Sequence, residues 1–281
     1  MTDGTADEVP AVAGGAGDDG NPQDRNGGAG QDTTATPAAP QEDAPDAAAA
    51  QDDLDPARCI VIVPVRTHVE EECAVGLAEL QSRGYQIRQV IGQTAIDYAR
   101  SKMASDALDA GFEEIMWIDS DIGFTADDVE MLRRHRLPVV SGIYPQKGQR
   151  ALASHLLPET DHVVFGIGGG LIEIRYAAGG FLLTHRRVYE TIREHEQLPS
   201  CNDRFGSGFT PYFWPMVIPD GDGHWYLAED FAFCERVRRA GFAVMADTRI
   251  RLQHIGRAAY SWEDAGSELP RYASYSFSVT R

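Results

Sequence analysis

The chain has 281 residues, 43% hydrophobic, 24% charged and 9% aromatic, which is enough apolar material for one sizeable core or two small ones. No run of 18 apolar residues occurs, so no membrane-spanning helix is expected. The opening Met1-Thr2-Asp3-Gly4 lacks the basic and apolar regions of a secretory signal.

The net charge of −18 is unevenly placed. Residues 1–56 hold 13 of the 43 acidic residues and one of the 25 basic ones, net −12, which leaves −6 on the rest. Neither part has the basic face that grips a nucleic-acid backbone. Residues 1–56 are Ala, Gly, Asp, Pro, Gln and Thr with few large apolar side chains. Such a segment cannot offset its ordering entropy by burial, so a disordered acidic tail is expected over 1–56 and a folded domain over 57–281. Cys59, Cys73, Cys201 and Cys234 form no CxxC pair. A zinc ribbon and a thioredoxin-like motif are therefore disfavoured, and reduced thiols in a cytoplasmic protein are expected.

From Cys59 the pattern changes. Residues 59–65 are a wholly apolar, β-branched run, as in a parallel strand buried on both faces. Cys73, Leu77 and Leu80 have helical spacing, and Gly84 marks a stop. Residues 85–91 read as a second strand. Ile96, Ala99, Met103, Ala107 and Ala110 line one helix face closed by Gly111, and residues 114–118 form a third strand. This β-α-β-α-β order predicts a parallel sheet. Thr125 and Asp128 have capping-box spacing at the head of a helix over 125–136, ended by Pro138, and 139–144 is a fourth strand. Beyond it the pattern turns antiparallel and loopier. Strands are expected at 163–165, 171–177 and 181–183, a helix at 185–197, and a long aromatic loop at 198–227. A helix at 229–240 ending at Gly241 and a strand at 242–246 close the series. The run Gly166-Ile167-Gly168-Gly169-Gly170 fails as a dinucleotide fingerprint, since Leu171 takes the third glycine position and no strand-to-helix turn is expected there.

In an open α/β sheet, ligands bind beyond the carboxyl ends of the strands. Strand three ends in Asp119-Ser120-Asp121, two carboxylates one residue apart that point the same way while the chain is extended. They suit a hard divalent cation that shares its oxygens with phosphates, although a solvated turn with a capping Asp explains the same pattern. Glu229 and Asp230 fall in a first helical turn, where the dipole favours an anion. Either caps the helix or acts as a general base. His254, just past a strand, is a structural histidine or the third ligand of a metal site. The aromatics of 205–226 are core or an acceptor-stacking loop.

Taken together, residues 59–260 resemble a GT-A-fold glycosyltransferase, similar to the large inverting family 2 group. The resemblance is carried by the order and spacing of several segments. These are Pro64-Val65-Arg66, Asp97-Tyr98-Ala99-Arg100-Ser101, Asp119-Ser120-Asp121, Ser141-Gly142-Ile143-Tyr144-Pro145-Gln146-Lys147, Ala178-Gly179-Gly180-Phe181, Glu229-Asp230 and His254. It implies an α/β GT-A fold, a Rossmann-like mixed sheet flanked by helices. It implies a metal-dependent hexosyltransferase that moves a sugar from a nucleotide-sugar donor, with UDP the expected nucleotide, to a glycan or small-molecule hydroxyl acceptor with inversion. By the resemblance, Pro64, Arg66, Arg100, Asp119, Ser120 and Asp121 hold the nucleotide and donor, and Gly179 and Gly180 let the backbone approach the sugar. Asp119, Asp121 and His254 bind Mn2+ or Mg2+. Asp230 is the base, with Glu229 beside it. Ser101 departs from the family pattern, in which Asn is common, and the Gln-x-x-Arg-Trp segment of processive members is missing. A nucleotidyltransferase of related fold and a non-catalytic nucleotide-sugar-binding protein remain the alternatives. The first expects a Gly-rich, Lys-bearing loop after strand one, where this chain has Arg66-Thr67-His68-Val69.

Overall fold

A computed structural model of the protein describes residues 54–92, 95–149, 151–256, 259–265 and 274–278. All belong to the unit Ala48–Arg281. The acidic segment expected over 1–56 lies outside the described residues except for 54–56. Those three lead into a single 3-10 turn at Pro56–Arg58, and the carbonyls of Leu54 and Asp55 accept from Arg133.

In chain order the elements are β1 (Cys59–Val65), α1 (Glu71–Ser82), β2 (Gln86–Ile91), α2 (Ile96–Asp109), β3 (Glu114–Ile118), β4 (Ile122–Gly123), α3 (Ala126–Arg134), β5 (Val139–Gly142), β6 (His155–Leu156), β7 (His162–Gly166), β8 (Leu171–Tyr176), β9 (Phe181–His185) and α4 (Arg186–His195). Then come β10 (Met216–Asp220), β11 (Gly223–Leu227), α5 (Glu229–Arg239), β12 (Val244–Asp247), β13 (Gln253–Ile255), β14 (Ala259–Tyr260) and β15 (Ser274–Ser278). Eight strands form one mixed sheet in the order β2-β1-β3-β9-β5-β12-β8-β6. The expected parallel trio is present, with β1 parallel to both β2 and β3. β9 then runs antiparallel between β3 and β5. β12 lies parallel to β5 and antiparallel to β8.

Both faces of the sheet are covered. Alternate residues of β1 enter different cores, Ile60 and Ile62 on one side and Cys59, Val61 and Val63 on the other. This is why the strand is apolar throughout instead of alternating. Trp117 is buried from β3, donates through Nε1 to the Tyr189 hydroxyl at 3.0 Å, and meets Phe213 edge-on at 5.3 Å. The capping box of α3 is formed by Thr125 and Asp128 as its spacing predicts.

The region read as one long aromatic loop contains a hairpin, β10 paired with β11. Its turn is Asp220-Gly221-Asp222-Gly223, a hairpin signal overlooked among the aromatic residues. The aromatics divide between the two readings. Tyr212 and Phe213 are core, Phe213 stacking on Phe233 at 4.5 Å, whereas Phe205, Trp214 and Tyr226 are exposed. Ser101 explains part of this. Its buried hydroxyl accepts from Phe213 N at 3.1 Å, and the Ser105 hydroxyl accepts from Thr210 N at 3.0 Å. The glycine run 166–170 connects β7 directly to β8, with no helix for a pyrophosphate to cap.

Gly76 tests how tightly α1 is seated. A Cβ there would lie 2.7 Å from the Phe124 carbonyl oxygen and 2.8 Å from its ring. In an open helix, Gly→Ala would stabilise by about 1 kcal/mol. Here overpacking dominates, and Gly76→Ala is expected to destabilise by about 1–3 kcal/mol in denaturant unfolding. A gain in stability would show that α1 yields at this contact.

Candidate functional site

The topology brings the carboxyl ends of β1 and β3 to one edge of the sheet, and β9, being antiparallel, begins there. Asp119 N donates to the Gly180 carbonyl at 2.9 Å, which seats the two glycines directly beside the end of β3. At this edge lies a cavity of about 440 Å3, within the ordinary size range of ligand pockets. Pro64, Arg66, Arg100, Asp119, Ser120, Asp121 and Glu229 are in its walls, together with Val65 and Ile96. Every nucleotide-side residue expected from the sequence except Gly179 and Gly180 therefore lines one space.

Asp119 and Asp121 part company. The chain leaves β3 at Ile118 and turns at once, with Ile122 N donating to the Asp119 carbonyl at 3.0 Å, so the extended geometry behind a common direction is absent. Asp119 Oδ1 accepts from Arg100 Nη2 at 2.7 Å. Asp121 instead faces His254, whose Nε2 is 3.7 Å from Oδ1, and its other oxygen pairs with Lys147. The turn is braced from behind by α1, as Glu70 N donates to the Ser120 carbonyl at 2.8 Å.

His254 reaches Asp121 because β13 pairs antiparallel with β4, and Ile255 N donates to the Asp121 carbonyl at 2.8 Å. With Nδ1 donating to the Pro145 carbonyl at 2.9 Å, Nε2 is left with its lone pair toward Asp121. Burial lowers the His254 pKa, which keeps the ring neutral at pH 7. This is how metal-binding imidazoles are oriented by an outer hydrogen bond. Among the described residues, no three His, Cys, Asp or Glu side chains gather closely enough to hold a metal ion by themselves. Asp121 and His254 together fit a divalent cation that takes its remaining oxygens from phosphate and water. Asp119, expected as a third ligand, has its Oδ1 engaged by Arg100.

Arg100 organises the carboxylates of Asp119 and Glu229. It projects from α2 into the interior, 3% exposed, with its guanidinium 5.4 Å from the Trp117 ring centre. Besides Asp119 it donates to the Gly179 carbonyl at 3.2 Å, and its Nε lies 3.7 Å from Glu229. That Nε is buried without a hydrogen-bond partner. The Asp119, Glu229 and Asp230 charges hold Arg100 protonated against its burial. Arg100 is thus a counter-ion to three carboxylates before it is a nucleotide contact.

Glu229 and Asp230 open α5, whose Ala232, Phe233, Cys234 and Val237 are buried and whose last turn carries Arg236, Arg238 and Arg239. Asp230 accepts from its neighbour Phe231 N at 2.8 Å and from Gly179 N at 3.2 Å. Burial raises both pKa values. For Glu229 the Asp230 charge adds to the rise, and for Asp230 the Arg100 charge opposes it. Asp230 thus satisfies a first-turn amide of its helix and is also a half-buried carboxylate with a raised pKa.

The two glycines have a reason of their own. A Cβ on Gly179 would lie 3.1 Å from the Arg100 guanidinium, and one on Gly180 only 2.4 Å from the Tyr144 hydroxyl and 2.8 Å from Asp119 Oδ2. They make room for protein groups first. Tyr144, given no role of its own in the sequence reading, is buried here. Its hydroxyl accepts from Gly180 N at 2.9 Å, and its pKa is pushed well up by burial and by Asp119 and Asp230. Lys147 was also overlooked as a site residue. Both lie in the 141–147 segment that helps carry the resemblance, as the Tyr-Pro-x-Lys run just past β5.

No protein-family model matches the sequence, and no curated protein matches it. Among solved structures, A197 from STIV superposes with a TM-score of 0.48 at 16% identity, over 76% of this chain and 97% of its own. A glycosyltransferase involved in the glycosylation of the major capsid of PBCV-1 superposes with a TM-score of 0.25 at 10% identity, over 47% of this chain and 62% of its own. Neither likeness carries an inference about chemistry, which rests on the site. Among the described residues, no helix is long and apolar enough to cross a membrane.

Proposed function

We propose that the protein is a glycosyltransferase of GT-A type that moves a sugar from a nucleotide-sugar donor, with UDP the expected nucleotide, to a hydroxyl acceptor with inversion. The observation that supports this reading is that two unlike groups of side chains each reach the same cavity, one through Asp121 and the other through Glu229. Asp121, in the cavity wall, and His254 form a cation-competent corner, and Glu229, in the same wall, and its neighbour Asp230 form a half-buried carboxylate pair joined to Asp119 through Arg100.

The chemistry requires both groups. Breaking the sugar–phosphate bond builds negative charge on the diphosphate, and a divalent cation, Mn2+ or Mg2+, held by Asp121 and His254 would supply the Lewis acid that neutralises it. Arg66 and Ser120 offer the nucleotide polar groups beside that corner, and Pro64 an apolar floor. Asp230, with its raised pKa, takes the proton of the acceptor hydroxyl. One base acting opposite the leaving group implies a single displacement, hence inversion. Arg100 keeps Asp119, Glu229 and Asp230 in register.

The test measures UDP release from a panel of UDP-sugars, with and without Mn2+, in wild type and Asp121→Ala. Mn2+-dependent release from one donor, reduced at least about 100-fold in the variant, is expected if the cation is to lower the barrier by several kcal/mol. Binding of UDP with no release from any donor would favour a nucleotide-sugar-binding protein. No binding of UDP would direct the search to other nucleotides and to nucleotidyl transfer.

A further inference from the structure

We propose that Lys147 is a diphosphate ligand of this site and, before a diphosphate arrives, the rival of the divalent cation for Asp121, so that cation and nucleotide bind as a coupled pair. This rests on the donor reading above and adds a residue and a binding order to it.

Three observations carry it. First, the Lys147 ammonium pairs with Asp121 Oδ2, while Oδ1 of the same carboxylate faces His254 Nε2 at 3.7 Å. One carboxylate thus serves both a protein cation and the cation-competent corner. A divalent ion beside an unmoved ammonium would place three positive charges on one Asp and a neutral His, so each excludes the other. Second, Lys147 is free to leave. Its side chain is 35% exposed, and it stands at the tip of a turn where Gly148 takes φ +70°. The base of that turn is held, with Gln146 N donating to the Ala151 carbonyl at 2.8 Å and Ala153 N to the Tyr144 carbonyl at 2.9 Å. Third, the same turn orients the imidazole, since the Pro145 carbonyl receives His254 Nδ1. Arg100, by contrast, is buried and committed to Asp119 and cannot follow a ligand.

A part-exposed ion pair contributes little to folding, so stability alone is a poor account of this one. A nucleoside diphosphate resolves the conflict. Its β-phosphate takes the ammonium, Asp121 is released to the cation, and the freed stem lets metal and nucleotide reinforce one another. Such coupling must be reciprocal.

The experiment is a set of calorimetric titrations of the full chain with MnCl2 alone, UDP alone and each in the presence of the other, for wild type, Lys147→Met and Lys147→Arg. Lys147→Met keeps the stem and removes the charge. It is expected to bind Mn2+ alone about tenfold more tightly than wild type and UDP alone about tenfold more weakly, with the mutual enhancement reduced by a similar factor. Lys147→Arg should stay near wild type in both. A structural role for Lys147 would weaken Mn2+ binding or leave it unchanged, never tighten it. Equal or weaker Mn2+ binding in Lys147→Met, with UDP still bound by wild type, overturns the inference and spares the donor reading. Failure of wild type to bind UDP with or without Mn2+ overturns both.

Discussion

Asp230→Asn is expected to lower sugar transfer by about 10^2–10^4-fold, the range of a lost general base, while UDP affinity stays within about twofold. The amide matches the carboxylate in shape but cannot accept the acceptor's proton. It keeps one oxygen for the Phe231 and Gly179 amides, which now compete for it. Single-turnover transfer and UDP calorimetry on the same preparation check the expectation. Loss of both transfer and binding would show that Asp230 is only a helix cap. The pH profile gives a second reading. Burial raises the Asp230 pKa, and the base works deprotonated, so transfer should climb with pH along a limb displaced above the ordinary aspartate range. Stability moves the other way. A carboxyl that binds its proton more tightly when folded contributes stability that is complete below its unfolded pKa and is lost as pH rises through the folded one. The site is therefore most active where it stabilises the fold least.

Arg100→Met should destabilise the protein by about 3–5 kcal/mol at pH 8, the effect of removing one partner from a buried charge network. Asp119, Glu229 and Asp230 would then face one another with no cation between them, and the Gly179 carbonyl would lose its donor. Trp117 would keep an apolar neighbour, so packing loss is the smaller part. The defect should shrink as pH falls through the carboxylate range, because protonation removes the charge that Arg100 balances. Denaturant unfolding of variant and wild type at pH 5 and pH 8 measures it. A defect of the same size at both values would mean that shape, and not charge, is what Arg100 supplies.

Much of the scaffold was legible because its signals are local. The buried β1 run, the helix faces of α2 and α5 and the capping box of α3 each follow from periodicity or cap chemistry within a dozen residues. The hairpin β10–β11 was missed because its turn lies inside an aromatic segment whose members serve two purposes. The direction of β9 had only its loopy surroundings as a hint, yet that direction is what sets Gly179 and Gly180 against Asp119.

By itself the sequence determined which residue types could meet at the strand ends, namely the acids of 119–121 and 229–230, the late histidine and the glycine pair. Tertiary structure alone decided who partners whom. It turned Asp119 toward Arg100 and Asp121 toward His254 and Lys147, and it tied Tyr144 and Asp230 to the backbone of the two glycines. The physical reason is one of range. Propensity and periodicity act over a few residues, whereas an ion pair between positions 121 and 254 exists only once β13 has paired with β4.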